Sequence, residues 1–183
     1  MKIFAKVTPL VTLETERLRI VPLSREEFLQ KKDDPTLGEN FPDTMAELWE
    51  RASSDSPKRF AWYTNRLIYR KKDGAYIGSI ALMNSPEKDP DHIGLIELGY
   101  DTLPAYRNMG YMTEATTALC NWALSQPKVY GMIGGVLDEN AASAHVLEKC
   151  GFVLTDHSDA LHLQVWKKIP DCRKPMTFLE RIF

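Results

Sequence analysis

Residues 104–126 read PAYRNMGYMTEATTALCNWALSQ, and the fold is decided by how this stretch divides. From Met112 to Gln126 apolar residues recur at helical spacing, with Ala115, Leu119, Trp122 and Ala123 on one face. Ahead of that helix stand Gly110 and the cation Arg107. Before them, IGLIELGYDTL (93–103) is a long apolar strand, stopped by Pro104. Strand, glycine-containing turn and helix N-terminus together point backbone N–H groups at an anion. The helix dipole adds a partial positive charge there and Arg107 a full one. Gly110 removes a Cβ where a ligand would approach the backbone. The same turn also serves as a plain helix cap, and the local sequence alone leaves both readings open. No Lys-Ser or Lys-Thr follows the glycine, and no GxGxxG follows a strand, so neither nucleotide loop is present.

Outward from this turn the punctuation is regular. RLRIVPL (17–23) alternates and predicts a first strand; Ser24 and Glu27 form a capping box ahead of the helix REEFLQKK. The turn-rich KDDPTLGENFPD (32–43) is a loop, and Asp43 or Thr44 caps a second helix through MAELWERA. RLIYRKKDGAYIGSIALMN (66–84) predicts a hairpin closed at Asp73-Gly74 by a type I′ turn. MIGGVLD (132–138) is a buried strand. Asn140 starts the helix AASAHVLEKC, and Gly151 ends it as a left-handed C′ glycine. FVLTDH and ALHLQVWKKI make a final hairpin, and the tail 170–183 has no pattern. The order predicts an α/β domain, a mixed and largely antiparallel sheet with helices interspersed.

Composition excludes several classes. The 183 residues suffice for one domain, 1–183, with a sizeable core. Basic and acidic residues nearly balance, 23 against 25, with no long basic run, which disfavours a nucleic-acid footprint. Cys120, Cys150 and Cys172 are widely spaced, form no metal-ligand pattern and suit reduced thiols. The scattered His92, His145, His157 and His162 suggest no metal site. The N-terminus lacks a continuous apolar signal region, and no apolar run approaches the roughly 20 residues of a membrane span. A cytoplasmic protein is expected.

The turn Arg107-Asn108-Met109-Gly110-Tyr111-Met112 resembles the Arg/Gln-x-x-Gly-x-Gly/Ala segment of the GNAT N-acetyltransferases. TERLRIVPL (15–23), IELGY (96–100) and NAASAHVLEKCGF (140–152) resemble, in the same order, further segments of the branch that acetylates ribosomal-protein N-termini. The resemblance runs over about residues 12–168. It implies a GNAT-type sheet with a splayed strand pair that binds acetyl-coenzyme A. The pyrophosphate would rest on the amides of Arg107, Asn108, Met109, Gly110, Tyr111, Met112 and Thr113. The pantetheine arm would pair with the strand edge at Leu98, Gly99, Tyr100, Asp101, Thr102 and Leu103. Met112 departs from the family's small residue. The resemblance further implies that Asn140, an N-cap by position, also contacts the cofactor.

Acetyl transfer requires a neutral amine and a protonated leaving thiol. Glu97 is the one ionisable residue between Ile93 and Tyr100. Partly desolvated in its strand, it would serve as base, directly or through water; a carboxylate that faces solvent or pairs with a neighbouring cation is the alternative. Many relatives carry a tyrosine where this chain has Leu147, so that general acid is excluded. Ser143 is left as a donor to the sulfur, or as a small residue for helix packing. Phe60, Trp62 and Tyr63 suit either an acceptor pocket or the core, and the acidic group Asp33, Asp34, Glu39 and Asp43 either an acceptor wall or a solvated loop. The expected acceptor is a primary amine, on a protein N-terminus or a small molecule. Homodimers are common in this branch, and the sequence itself requires none. A degenerate acyl-CoA-binding sensor is the alternative.

Overall fold

The computed structural model describes residues 8–31, 50, 57–86 and 94–170. The second predicted helix, apart from Glu50, lies outside them, as do the acidic group at 33–43, His92 and Cys172. The described chain runs β1 (Leu13–Glu14), β2 (Leu18–Pro22), α1 (Arg25–Gln30), a 3-10 turn (Pro57–Trp62), β3 (Arg66–Arg70) and β4 (Tyr76–Leu82). It continues with β5 (Leu95–Thr102), a short 3-10 turn (Pro104–Tyr106), α2 (Tyr111–Leu124), β6 (Gly131–Leu137), α3 (Ala141–Lys149), β7 (Val153–Ser158) and β8 (Leu163–Lys168).

The strands form one sheet in the order β1-β2-β3-β4-β5-β6-β8-β7. Every pairing is antiparallel except β5 with β6. The mixed, largely antiparallel sheet is as expected; the two-residue β1 is an addition. Burial follows position. β4, in the interior of the sheet, is buried from Ile77 to Leu82, whereas the edge strand β7 is exposed over nearly its whole length. Helix α2 lays Ala115, Leu119, Cys120 and Ala123 into the core, all fully buried at helical spacing.

The local signals mostly operate as read. Ser24 and Glu27 make the reciprocal capping box. Gly151, at φ 82°, donates to the Glu148 carbonyl while Phe152 donates to that of Leu147, a Schellman closure of α3. The β3–β4 connection differs. A type I′ turn needs positive φ at both Asp73 and Gly74, and only Gly74 has it. The Arg70 N–H donates to the Ala75 carbonyl, so Lys71 to Gly74 form a longer loop. Asp73 is held there by the Arg70 guanidinium and the Ala75 N–H.

Candidate active site

The parallel seam of the sheet is short. β5 and β6 pair only through Leu95, Ile96 and Glu97, facing Gly131, Met132 and Ile133. Beyond that point β5 pairs with β4 alone and β6 with β8 alone. The two strands therefore part toward their carboxyl ends, where open parallel strands place ligands. The Glu97 carbonyl accepts from the Met83 N–H at 2.9 Å, and the Leu103 N–H donates to the Ile77 carbonyl at 2.9 Å. Strand alternation then turns the main-chain groups of Glu97, Gly99, Asp101 and Leu103 toward β4 and those of Leu98, Tyr100 and Thr102 toward the gap. The Thr102 carbonyl is taken by the Arg107 Nε at 2.9 Å. The expected edge of Leu98 to Leu103 is thus narrower: the Leu98 carbonyl, both main-chain groups of Tyr100 and the Thr102 N–H remain for a partner.

At the mouth of the gap lies the glycine turn. Asn108 and Gly110 are both left-handed, at φ 59° and 74°. Gly110 is the N-cap of α2 and supplies no side-chain cap. Every N–H from Asn108 through Thr113 lacks an acceptor among the described residues. A Cβ at Gly110 would meet the protein only at ordinary contact distance, the nearest atom being Arg17 Nη2 at 3.5 Å, so its φ is what calls for glycine. Met112 turns its side chain into the core and leaves only its amide in the turn. Arg107 is exposed, and its Nε is already committed to the end of β5.

Across the gap, the Asn140 side chain caps α3, accepting from the Ser143 N–H at 3.1 Å. The Tyr100 hydroxyl donates to the Ser143 carbonyl at 3.0 Å, tying the first turn of α3 to β5. Burial pushes the Tyr100 pKa well above its usual value, and the Ser143 hydrogen bond only partly opposes this, so the hydroxyl stays a donor. Ser143 is half-buried. Leu147 is buried against Gly134 of β6, where an added Cβ would come within 3.0 Å of its Cδ1.

Glu97 corrects one expectation. Its flanking residues Ile96 and Leu98 are buried, and the period-2 alternation leaves Glu97 itself exposed rather than partly desolvated. Its N–H donates to the Asn84 Oδ1 at 2.8 Å, and Asn84 Nδ2 donates to the Leu95 carbonyl. The buried Asn84 side chain thus extends the β4 edge beyond its last strand residue, a role with no sequence signal. Phe60, Trp62 and Tyr63 are core residues: Phe60 packs edge-on to Phe28, and Trp62 lies 5.3 Å from Trp122. Cys120 and Cys150 are free and buried, and burial pushes the Cys120 thiol up to about 12. No group of His, Cys, Asp and Glu among the described residues is arranged to hold a metal. No described helix is long and apolar enough to cross a membrane.

The sequence reading also missed a brace behind the turn: Thr15 and Arg17, far ahead in the chain, both bond Glu114 in the first turn of α2.

The chain is similar to known proteins in sequence and in fold. An N-acetyltransferase of Bacillus subtilis, YjdG, is 29% identical over 166 residues, which covers 81% of this chain and 94% of that protein. The fold recurs in the ribosomal-protein-S5-alanine acetyltransferase of Vibrio fischeri, with a TM-score of 0.59 at 17% identity, over 90% of this chain and all of that one. It recurs again in the dodecameric spermidine N-acetyltransferase of Vibrio cholerae, with a TM-score of 0.59 at 16% identity, over 88% and 98% of the two chains. The family model described as the acetyltransferase (GNAT) domain matches residues 17–153. By that match the chain belongs to the GNAT family and is an acetyl-coenzyme A-dependent acetyltransferase.

Proposed function

We propose that this enzyme acetylates a primary amine by direct transfer within a ternary complex, in the gap between β5 and β6. The observation that carries the reading is continuity: an open strand edge at Leu98 and Tyr100 leads to a turn whose amides from Asn108 to Thr113 have no acceptor among the described residues. The Leu98 carbonyl and the Tyr100 amide and carbonyl match the alternating donors and acceptors of a pantetheine arm. The turn's amides and the dipole of α2 suit a diphosphate. Arg107 supplies a nearby cation, and Asn140 retains an amide donor beside its capping oxygen.

Acetyl-coenzyme A, when bound, supplies the thioester carbon that the amine attacks, so that a C–N bond forms as the C–S bond breaks. Glu97 takes the amine's surplus proton. Its exposure favours relay through water rather than direct contact. Ser143, in the first turn of α3, orients a donor toward the departing sulfur. A thiol pKa of about 8.5 makes that help modest, since the thiolate leaves readily. A sensor reading keeps one observation in its favour: neither Leu147 nor the exposed Glu97 is the buried acid or base of an evidently tuned site.

The acceptor is a primary amine, of the kind carried by protein N-termini and polyamines. The test is calorimetric titration with acetyl-coenzyme A, followed by thiol release against N-terminal peptides, polyamines and amino acids. Binding with thiol release for one amine class is expected. Binding with no release across the panel would favour the sensor, and absence of binding would reduce the turn to a helix cap.

A further inference from the structure

The left-handed turn needs something to hold it. Asn108 sits at φ 59°, a conformation that Asn tolerates better than most residues but that still carries a steric cost a glycine would not. Such conformations persist where neighbours over-determine them. The neighbour here is Arg17. Its Nη1 donates to the Met109 carbonyl at 3.0 Å and its Nε to Glu114 Oε2 at 2.6 Å. Its own N–H donates to Glu114 Oε1 at 2.9 Å, an oxygen that also accepts from the Thr15 hydroxyl at 2.6 Å. The guanidinium lies 4.5 Å from the centre of the Tyr111 ring. The Arg17 carbonyl is fixed in turn by the Lys71 N–H. One side chain therefore grips the turn before Gly110 and the helix after it.

The peptide plane converts this grip into chemistry. In a trans peptide the C=O and the following N–H point in opposite directions. Holding the Met109 carbonyl toward Arg17 turns the Gly110 N–H away from it, outward with the other unpaired amides. A flipped plane would present a carbonyl oxygen to an incoming anion instead. Because Glu114 already pairs with Arg17, the guanidinium acts through the turn and not as a phosphate ligand.

We infer that Arg17 is the positioning residue of the diphosphate-binding turn, fixing the Met109–Gly110 peptide so that its amide faces the ligand. This rests on the assignment of the turn to the diphosphate made above. The test uses two probes: acetyl-coenzyme A, and S-acetylpantetheine, which lacks the diphosphate. In R17M, affinity for acetyl-coenzyme A should fall about tenfold, the scale of one charge-assisted hydrogen bond, while that for S-acetylpantetheine stays within about twofold. R19M, which alters an exposed neighbour paired to Glu14, should change neither. Equal losses for both probes, or no loss for either, would overturn the assignment of Arg17. If R17M does not fold, R17K carries the same expectation, because a single ammonium cannot bridge Met109 and Glu114 as the planar fork does. A wild-type protein that binds both probes equally would defeat the diphosphate reading itself, and with it the role of Arg17.

Discussion

At the scale of single residues, the legible positions are those whose signal is local. Gly110, Asn140 and Gly151 each advertise a backbone conformation or a cap, and each has it. Glu97 was legible as a candidate but not in its surroundings. The expectation of desolvation came from its apolar neighbours in sequence, whereas strand alternation puts those neighbours on the opposite face. The roles of Arg17 and Asn84 had no sequence signal, because their partners are fixed only by tertiary structure. Glu97→Gln should lower turnover by about 10²-fold, the lower end of the range for a general base and fitting for one acting through water. Acetyl-coenzyme A affinity should hold. Steady-state kinetics across pH would check this, and an unchanged rate profile would remove Glu97 from the mechanism.

At the scale of elements, strands and helices were readable from periodicity, and connections less so. Asp73-Gly74 marked the β3–β4 hairpin correctly, but the loop is longer than the dipeptide alone would give, with the Arg70–Asp73 ion pair across it. A second such tie joins β6 to β7. His157 Nε2 lies 2.9 Å and 3.0 Å from the two Asp138 oxygens, and its Nδ1 lies 3.0 Å from Asp159 Oδ1. His162 approaches the same Asp138 at 3.8 Å. The hydrogen bond to Asp138 chiefly, with the charges of Asp138 and Asp159, raises the His157 pKa against the opposing effect of burial. A raised folded pKa means stability fully present below the unfolded value of ~6.5, and lost as pH climbs through the folded one. The melting temperature of the wild type should therefore exceed that of His157→Gln most at about pH 5–6, and the difference should close toward about pH 9. A difference independent of pH would mean that packing, not charge, makes the tie.

At the scale of the molecule, the alternation of helices with strands was enough to foresee a layered α/β chain, since each amphipathic element must bury one face. Strand order was not: which strands adjoin depends on contacts that periodicity does not encode. The parallel seam between β5 and β6 and its early end emerge only in three dimensions. If a ligand fills that gap, it stabilises the folded state by mass action. At about 100 times its dissociation constant the gain is about 2.7 kcal/mol, or a rise in melting temperature of roughly 5–10 °C for a domain of this size. Thermal melts across acetyl-coenzyme A concentrations should show it, and a flat series would count against binding in the gap.

The end of the seam has a further consequence. A gap between strands that still pair at Leu95–Glu97 is a wedge with a closed apex, not a passage through the sheet. Anything entering from the wide end is stopped by hydrogen-bonded main chain. If the pantetheine arm lies in the gap as proposed, its depth of entry is gauged by backbone, and the acyl group ahead of the sulfur would have a fixed allowance of length. On that placement, backbone pairing at Leu95–Glu97 and not a side chain would set the limit.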